Sequence, residues 1–260
     1  MKIYILCDME GISGIRRQEQ VMHDSPEYAE GRVLMAGDMD AAVEGALAGG
    51  ATQVVLNDCH GSGKNVRMGD LKQPVILESP GGGNLIMPSL DASFAGVILL
   101  GHHARAGTIN GFLDHTMNSM AWFEYRLNDV VMGEIGIEAA WAGHHGVPVI
   151  MVSGDQVTAD EAVQTLGHVE TAVVKRGIGR QSATCLPLTE ARKIIRDTAE
   201  RAVRNARSFK PFTPKMPGTI QITYYRSDMA DGSARQPGVE RIDARTVRRQ
   251  ITSLADVNRW

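Results

Sequence analysis

Short apolar runs alternate with helix-like periodic stretches along the first three quarters of the chain. The runs are rich in Val, Ile and Leu and contain few polar residues, which is typical of strands buried on both faces of a sheet. Regular alternation of strands and helices predicts an α/β fold with a largely parallel sheet flanked by helices. The predicted strands cover residues 3–7, 54–56, 75–77, 97–100 and 147–152.

Three helices are predicted among and after these strands. The first covers residues 26–48, because Pro26 is compatible with the first turn of a helix and a glycine pair ends the stretch. The second covers residues 136–144. The third, residues 188–206, has the clearest pattern, since its apolar residues recur every three or four positions and form one narrow stripe. A glycine triplet at residues 81–83 predicts a connecting loop.

The pattern changes towards the C-terminus. Residues 210–214 contain two prolines and are expected to form a linker or a sharp connection. Residues 219–225 then alternate between apolar and polar side chains, which predicts an edge strand or a strand of a small subdomain. We therefore divide the chain into a main α/β domain, residues 1–210, and a smaller C-terminal α+β portion, residues 211–260.

Composition narrows the class of protein. The 260 residues are 43% hydrophobic, which is enough for a core and argues against intrinsic disorder. The formal net charge is −3, and the arginines of residues 241–249 lie close to acidic residues, so neither nucleic acid nor a membrane is expected as a partner. The three cysteines lack a CxxC spacing, and the apolar N-terminal run is too short for a signal peptide. Both features favour a reduced, cytoplasmic location.

Carboxylates and imidazoles follow several of the predicted strands at the point where each strand ends. In open parallel sheets, ligands bind at these carboxyl ends. Residues two apart in an extended segment point the same way, so Asp8 and Glu10 are expected to share a face. The side chains that emerge in this way, or shortly afterwards in the chain, are Asp8, Glu10, His60, His102, His103, His115 and Glu134.

A metal site is one interpretation of this recurrence. Two carboxylates on one face repel each other unless a cation lies between them, and neighbouring histidines match the mixed nitrogen and oxygen ligands of zinc. Each residue also has a structural interpretation, because an Asp-x-Glu pair is a common turn or helix cap and a single histidine is commonly a hydrogen-bonding residue. The residues alone leave both interpretations open. A phosphate-binding loop is excluded, because Asp58 stands where the first glycine of a P-loop would precede Lys64.

Five ordered sequence blocks contain these side chains, namely DMEGISG (residues 8–14), NDCHG (57–61), GHHARAG (101–107), DHTM (114–117) and GEIG (133–136). Together they resemble the blocks of the D-aminopeptidases of the DppA type, peptidase family M55. The resemblance extends from Met1 to about Pro214, and the first and third blocks at this spacing are highly specific. It implies an α/β fold, two zinc ions per subunit, ring-shaped decamers and release of N-terminal D-residues from short peptides.

The resemblance also implies a role for each residue that matches a motif. Asp8 is expected to bridge two zinc ions, and His115 is expected to be catalytic, as an acid/base group or as a nucleophile. Three positions depart from the family pattern: Cys59 replaces a small polar residue, His102 stands where other residues are tolerated, and Asp114 replaces a hydroxyl residue. The expected metal ligands are Asp8, Glu10, His60, His103 and Glu134.

The function implied by the resemblance is that of a zinc-dependent aminopeptidase acting on short peptides by two-metal amide hydrolysis. The alternatives are a two-metal hydrolase of another small amide or a phosphoester, and an inactive binding homologue. The resemblance also implies a homo-oligomer, in which residues 211–260 have a role in substrate access or subunit contacts. That portion looks divergent after Pro217, which leaves substrate preference and the mode of assembly open. Arg105 is expected to bind either a substrate carboxylate or a structural acid such as Asp58.

Overall fold

The computed structural model describes residues 1–79 and 86–258. Strands and helices alternate along most of the chain, and additional strands form a second sheet. The helices are Tyr28–Ala48 (α1), Glu134–His144 (α2), Gln156–Leu166 (α3), Leu188–Arg204 (α4) and Ser227–Ser233 (α5). The strands are Lys2–Cys7 (β1), Gln53–Asp58 (β2), Ile76–Glu78 (β3), Phe94–Leu100 (β4), Trp122–Leu127 (β5), Val130–Met132 (β6), Val149–Asp155 (β7), Glu170–Gly179 (β8), Ser182–Cys185 (β9), Gly218–Tyr224 (β10), Val239–Arg241 (β11) and Thr246–Ile251 (β12).

A largely parallel sheet forms the centre of the fold. Among the described residues its strands lie in the order β3-β2-β1-β4-β7-β8-β9, and neighbouring strands are parallel except for β8 and β9. The chain continues from β1 to β2 on one side of the sheet, whereas it continues from β4 to β7 on the other. A crevice is therefore expected between the carboxyl ends of β1 and β4, which is the usual ligand site in sheets of this type.

Helices α1 and α4 cover one face of this sheet, while α2 and the second sheet cover the other. Successive side chains of a strand point to opposite faces, so β1 contributes to both cores. Ile3 and Ile5 pack on the side of α1 and α4, whereas Tyr4 and Leu6 pack on the side of α2. All four are fully buried. Burial of each aliphatic side chain contributes about 1.5–3 kcal/mol, which explains the unbroken apolar run of β1.

The second sheet is antiparallel, with the order β11-β12-β10-β5-β6. The strand predicted at residues 219–225 is β10. Of the two predicted positions, the edge of a sheet is wrong, because β12 pairs with β10 on one side and β5 pairs with it on the other. Its alternating pattern arises because Ile220 and Ile222 face the core while the intervening residues are only partly buried. The division of the chain at residue 210 stays a prediction, and the pairing of β10 with β5 joins strands from both sides of it.

The predicted α/β class with a largely parallel sheet is confirmed, and the three predicted helices correspond to α1, α2 and α4. Helix α2 begins two residues before the predicted start, so that Glu134 is its first residue. The triplet at residues 81–83 lies outside the described residues. Within the described ranges, no helix is long and apolar enough to cross a membrane.

Candidate metal centre

The turn after β1 places Asp8 and Glu10 at the crevice between β1 and β4. Asp8 N donates to Leu100 O at 2.8 Å, so the turn lies directly against the end of β4. Gly101 has a φ of +69°, and a side chain there would lie 2.5 Å from the carbonyl oxygen of Asp8. Glycine is therefore required at this contact. Both carboxylates are buried, since only 4% of Asp8 and 6% of Glu10 is exposed.

His60 follows β2 and faces both carboxylates. Its Nδ1 lies 3.2 Å from Asp8 Oδ1 and 3.1 Å from Glu10 Oε2. Its Nε2–H donates to Val21 O at 3.0 Å, which orients the ring and leaves Nδ1 towards the acids. The turn itself is held by Asp58, which accepts a hydrogen bond from His60 N at 3.3 Å.

His103 follows β4 and lies on the other side of Asp8. Its Nδ1–H donates to Ala104 O at 3.0 Å, which directs Nε2 into the crevice. Nε2 lies 3.3 Å from Asp8 Oδ2 and 3.3 Å from Glu134 Oε1. Among residues 1–79 and 86–258, this buried nitrogen makes no hydrogen bond of good geometry, although two carboxylates lie close to it.

Glu134 enters the crevice from the N-terminus of α2. A carboxylate in the first turn is stabilised by the partial positive charge of the helix N-terminus. Glu134 Oε1 also accepts a hydrogen bond from Met117 N at 2.6 Å. Gly133 precedes the helix, and a Cβ there would lie 2.4 Å from Glu161 Oε1 and 2.7 Å from Arg105 Cβ. The glycine therefore allows the helix start to approach its neighbours closely.

His115 reaches the centre from the loop between β4 and β5. Its ring stacks on that of His103, with centroids 3.9 Å apart and planes 14° apart. Its Nδ1–H donates to Leu113 O at 2.8 Å, and its Nε2 lies 3.5 Å from Glu134 Oε1. The sequence predicts a catalytic role for this residue, and the structure places its ring at the edge of the carboxylate cluster.

The charges of the acids and imidazoles strongly influence one another. Burial alone would raise the pKa of Asp8, but close contacts with His103 and His60 lower it well below its usual range. Burial alone would lower the pKa of His60, but the carboxylates of Glu10 and Asp8 raise it to about 12. The pKa of His103 is raised in the same way, mainly by Glu134 against the effect of burial. Protons on the imidazoles balance the negative charges of the carboxylates. A divalent cation bound here would displace these protons.

These donors fit zinc. Donor atoms of Asp8, Glu10 and His103 lie within 4.8 Å of one another, as do those of His103, His115 and Glu134. His103 belongs to both groups, and its buried Nε2 makes no hydrogen bond of good geometry within the described part of the chain, which is costly unless a cation binds there. Imidazole nitrogens and carboxylate oxygens are common zinc ligands. The structure thus brings all five predicted ligands together with His115.

Asp114 does not reach the imidazole of His115. Its Oδ2 accepts a hydrogen bond from Gly107 N at 2.6 Å, and its Oδ1 lies 3.4 Å from Arg180 Nε. Asp114 therefore fixes the loop that carries His115, while Leu113 O orients the ring itself.

The expected pairing of Arg105 with Asp58 is wrong. Asp58 accepts hydrogen bonds from Asn65 N at 2.6 Å and from Asn65 Nδ2 at 2.8 Å, which engage both of its oxygens. The main-chain N–H of Arg105 donates to Glu161 Oε2 at 2.8 Å. Binding of a substrate carboxylate by Arg105 stays a prediction.

Lys175 is a residue of the centre that the sequence analysis missed. It is 1% exposed, and its Nζ donates to Glu10 O and to Ile15 O, each at 2.6 Å. Nζ also lies 4.8 Å from the centroid of the Phe112 ring. Burial lowers the pKa of Lys175 to about 8. The available signal was a lysine directly after the apolar run of residues 172–174 in β8, since lysines are almost never fully buried without a partner.

Comparison with known proteins shows which family and which solved structure this chain is similar to. The sequence profile of the M55 peptidase family, whose members are D-aminopeptidases, matches residues 1–260. The expectation that the resemblance ends near Pro214 is therefore wrong. A D-aminopeptidase of Bacillus subtilis strain 168 is 33% identical over 244 residues, which cover 92% of this chain and 87% of that protein.

A solved structure is also similar along almost the whole chain. It is that of the Zn-dependent D-aminopeptidase DppA from Bacillus subtilis, described as a self-compartmentalizing protease. The TM-score is 0.95 at 32% sequence identity, and the alignment covers 99% of this chain and 94% of the other.

Proposed function

The chain belongs to the M55 family of D-aminopeptidases, and on that premise we propose that it is a zinc-dependent enzyme that releases N-terminal D-amino acids from short peptides. The observation that carries the proposal is the convergence of three carboxylates and three imidazoles from separate elements at one crevice. This arrangement provides donors for two zinc ions and leaves a further imidazole at the edge. The zinc dependence of the similar DppA structure supports the choice of metal.

Asp8 lies between the two histidines of the proposed centre and would help to hold zinc there. Its Oδ1 faces His60 at 3.2 Å, whereas its Oδ2 faces His103 at 3.3 Å. The remaining acids divide in the same way, because Glu10 lies beside His60 and Glu134 lies beside His103. Zinc bound here would be held by His60 and Glu10 on one side of Asp8 and by His103 and Glu134 on the other. When bound, zinc supplies Lewis acidity to the attacking water and to the scissile carbonyl.

His115 is proposed as the catalytic acid/base group. Its Nδ1–H donates to Leu113 O, so its Nε2 is the atom that accepts or donates the reacting proton. Nε2 lies 3.5 Å from Glu134 Oε1, so it can take a proton from the attacking water and deliver it to the leaving amine. Its stacking on His103 holds the ring in place while Nε2 changes its protonation state.

We further propose a homo-oligomer, with a ring as the expected form. The support is the self-compartmentalizing description of the similar DppA structure. Enclosure of the active sites in such an assembly would restrict substrates to short peptides. Residues 211–260 are proposed to contribute to subunit contacts or to substrate access.

A substrate panel with metal analysis tests the proposal. D-aminoacyl and L-aminoacyl peptides of two to six residues, together with a phosphoester, should be assayed on zinc-loaded protein whose metal content has been measured. We expect about two zinc ions per chain and release of the N-terminal D-residue, abolished by EDTA and restored by zinc. Hydrolysis of the phosphoester alone would favour the alternative two-metal hydrolase. Peptide hydrolysis by protein that holds no metal would refute the proposed mechanism.

A further inference from the structure

A second cluster of ligand-type side chains lies outside the proposed zinc pair. Cys59, His102 and Glu138 come from the ends of β2 and β4 and from α2, and their donor atoms lie within 4.8 Å of one another. His102 and Glu138 are buried, with 0% and 3% exposed, and Cys59 is half-buried. None of the three is among the ligands of the proposed pair.

The orientation of His102 resembles that of His103. Its Nδ1–H donates to Leu100 O at 3.2 Å, which leaves Nε2 directed towards Glu138 Oε2 at 2.6 Å. A main-chain carbonyl that fixes one ring nitrogen and so presents the other is the usual second contact of a metal-binding histidine. His103 shows the same arrangement, with Nδ1–H bonded to Ala104 O and Nε2 turned to carboxylates.

The three side chains offer a thiol, an imidazole and a carboxylate. Cys59 Sγ donates to Cys7 O at 3.3 Å, and in this position it already lies within 4.8 Å of the donor atoms of His102 and Glu138. A thiolate favours zinc or another borderline transition metal over magnesium or calcium. Three protein ligands and one water complete a tetrahedral zinc site.

We propose that Cys59, His102 and Glu138 form a third divalent-cation site, selective for zinc-like metals and separate from the proposed catalytic pair. On binding, the thiol of Cys59 loses its proton to solvent and a sulfur–metal bond forms. The proton in the hydrogen bond between His102 Nε2 and Glu138 Oε2 is also released to solvent, and that hydrogen bond is replaced by one bond from each residue to the ion. The dication then balances one thiolate and one carboxylate, so the buried site is neutral overall.

Such an ion would join the elements that carry the proposed catalytic ligands. Cys59 directly precedes His60, His102 directly precedes His103, and Glu138 lies one helical turn after Glu134. An ion held by these three side chains would therefore link the chain segments that follow β2 and β4 to the first turns of α2.

Cobalt substitution provides a direct test. Thiolate ligation of Co²⁺ gives an intense near-ultraviolet charge-transfer band, which the nitrogen and oxygen donors of the proposed pair do not give. We expect this band in the wild-type protein and its loss in Cys59→Ser, with one metal equivalent fewer per chain. Cys185→Ser is the matched control, because Cys185 is also half-buried but lies in β9, and this variant should keep the band and the metal content.

Glu138→Gln gives a second measurement that preserves the size of the side chain. It should weaken cobalt binding at the thiolate site at least about tenfold, whereas the remaining equivalents bind as in the wild type. The proposal is overturned if the wild type shows no charge-transfer band, or if the band persists in Cys59→Ser. These spectra are recorded without substrate, so failure of the proposed peptidase activity would leave their interpretation unchanged.

Discussion

Replacement of Gly11 by alanine tests the packing beneath the candidate metal centre. Gly11 lies in the turn that carries Asp8 and Glu10, and its N–H donates to Gly101 O at 2.7 Å. An added Cβ would lie 2.0 Å from the carbonyl oxygen of His102, whereas ordinary contacts begin at 3.4 Å. That oxygen belongs to the main chain and cannot rotate away. The turn after β1 or the end of β4 must therefore move.

The size of the effect follows from this overlap. Overpacking of a core costs about 1–3 kcal/mol when side chains can adjust, and here the main chain itself must shift. We expect the free energy of unfolding to fall by about 3 kcal/mol or more, which lowers the ratio of folded to unfolded protein more than about a hundredfold. His103 follows His102 directly, so its Nε2 would move relative to Asp8. Zinc affinity should fall at least about tenfold for this reason.

Two assays separate these effects. Urea unfolding of EDTA-treated protein measures the free energy of unfolding. Zinc titration of the folded variant measures the zinc affinity of the candidate metal centre. Gly69→Ala is a matched control, because no atom of residues 1–79 or 86–258 lies within 4 Å of the added Cβ and the φ of Gly69 is not left-handed. The control should change the free energy of unfolding by less than about 0.5 kcal/mol. The reasoning is refuted if Gly11→Ala unfolds at the same urea concentration as Gly69→Ala and binds zinc like the wild type.

Three further results are expected. His115→Ala should keep its zinc and its thermal stability while kcat falls at least about a hundredfold, and loss of zinc in this variant would instead assign His115 to the metal ligands. Zinc affinity should rise with pH by up to about tenfold per pH unit for each proton displaced. The reason is that the pKa of His60 is raised to about 12, so its proton must leave before zinc binds. Calorimetry in buffers of different ionisation enthalpy measures this proton release, and affinity that is constant from about pH 6 to 8 would contradict it. Light scattering should give a mass larger than a dimer, and a 28.2 kDa particle would contradict the proposed assembly.

The parallel sheet and the convergence of the candidate ligands could be predicted because both depend on short stretches of sequence. A strand buried on both faces needs an unbroken apolar run, and β1, β2 and β4 each end where such a run meets polar residues. The acids and histidines at those ends must then lie close together, because adjacent parallel strands end at the same edge. Asp8, His60 and His103 are placed in this way.

The second sheet and the buried polar partners could not be predicted in the same way. Strand β5 contains two charged residues among its apolar ones and β6 has only three residues. The partner of β5 on its other side, β10, lies far along the chain, so no local pattern shows that β5 and β10 pair. Lys175 and Glu138 acquire their partners only through the tertiary fold. A charged residue in the sequence is normally expected at the surface, and contacts with Glu10 and His102 reverse that expectation here.

The pairing of β10 with β5 also sets an order of events during synthesis of the chain. Strands β5 and β6 leave the ribosome long before β10 and β12, which complete their sheet. In the interval β5 has an unpaired edge, and such edges pair readily with other chains. Glu134 follows β6 after a single residue, and its helix α2 packs both against α3 and against residues 254–256, so part of this packing forms only after the end of the chain has been synthesised. The proposed ligands that follow β1, β2 and β4 are therefore synthesised well before the proposed metal centre can be completed. We expect the yield of folded protein to depend on chaperones for this reason.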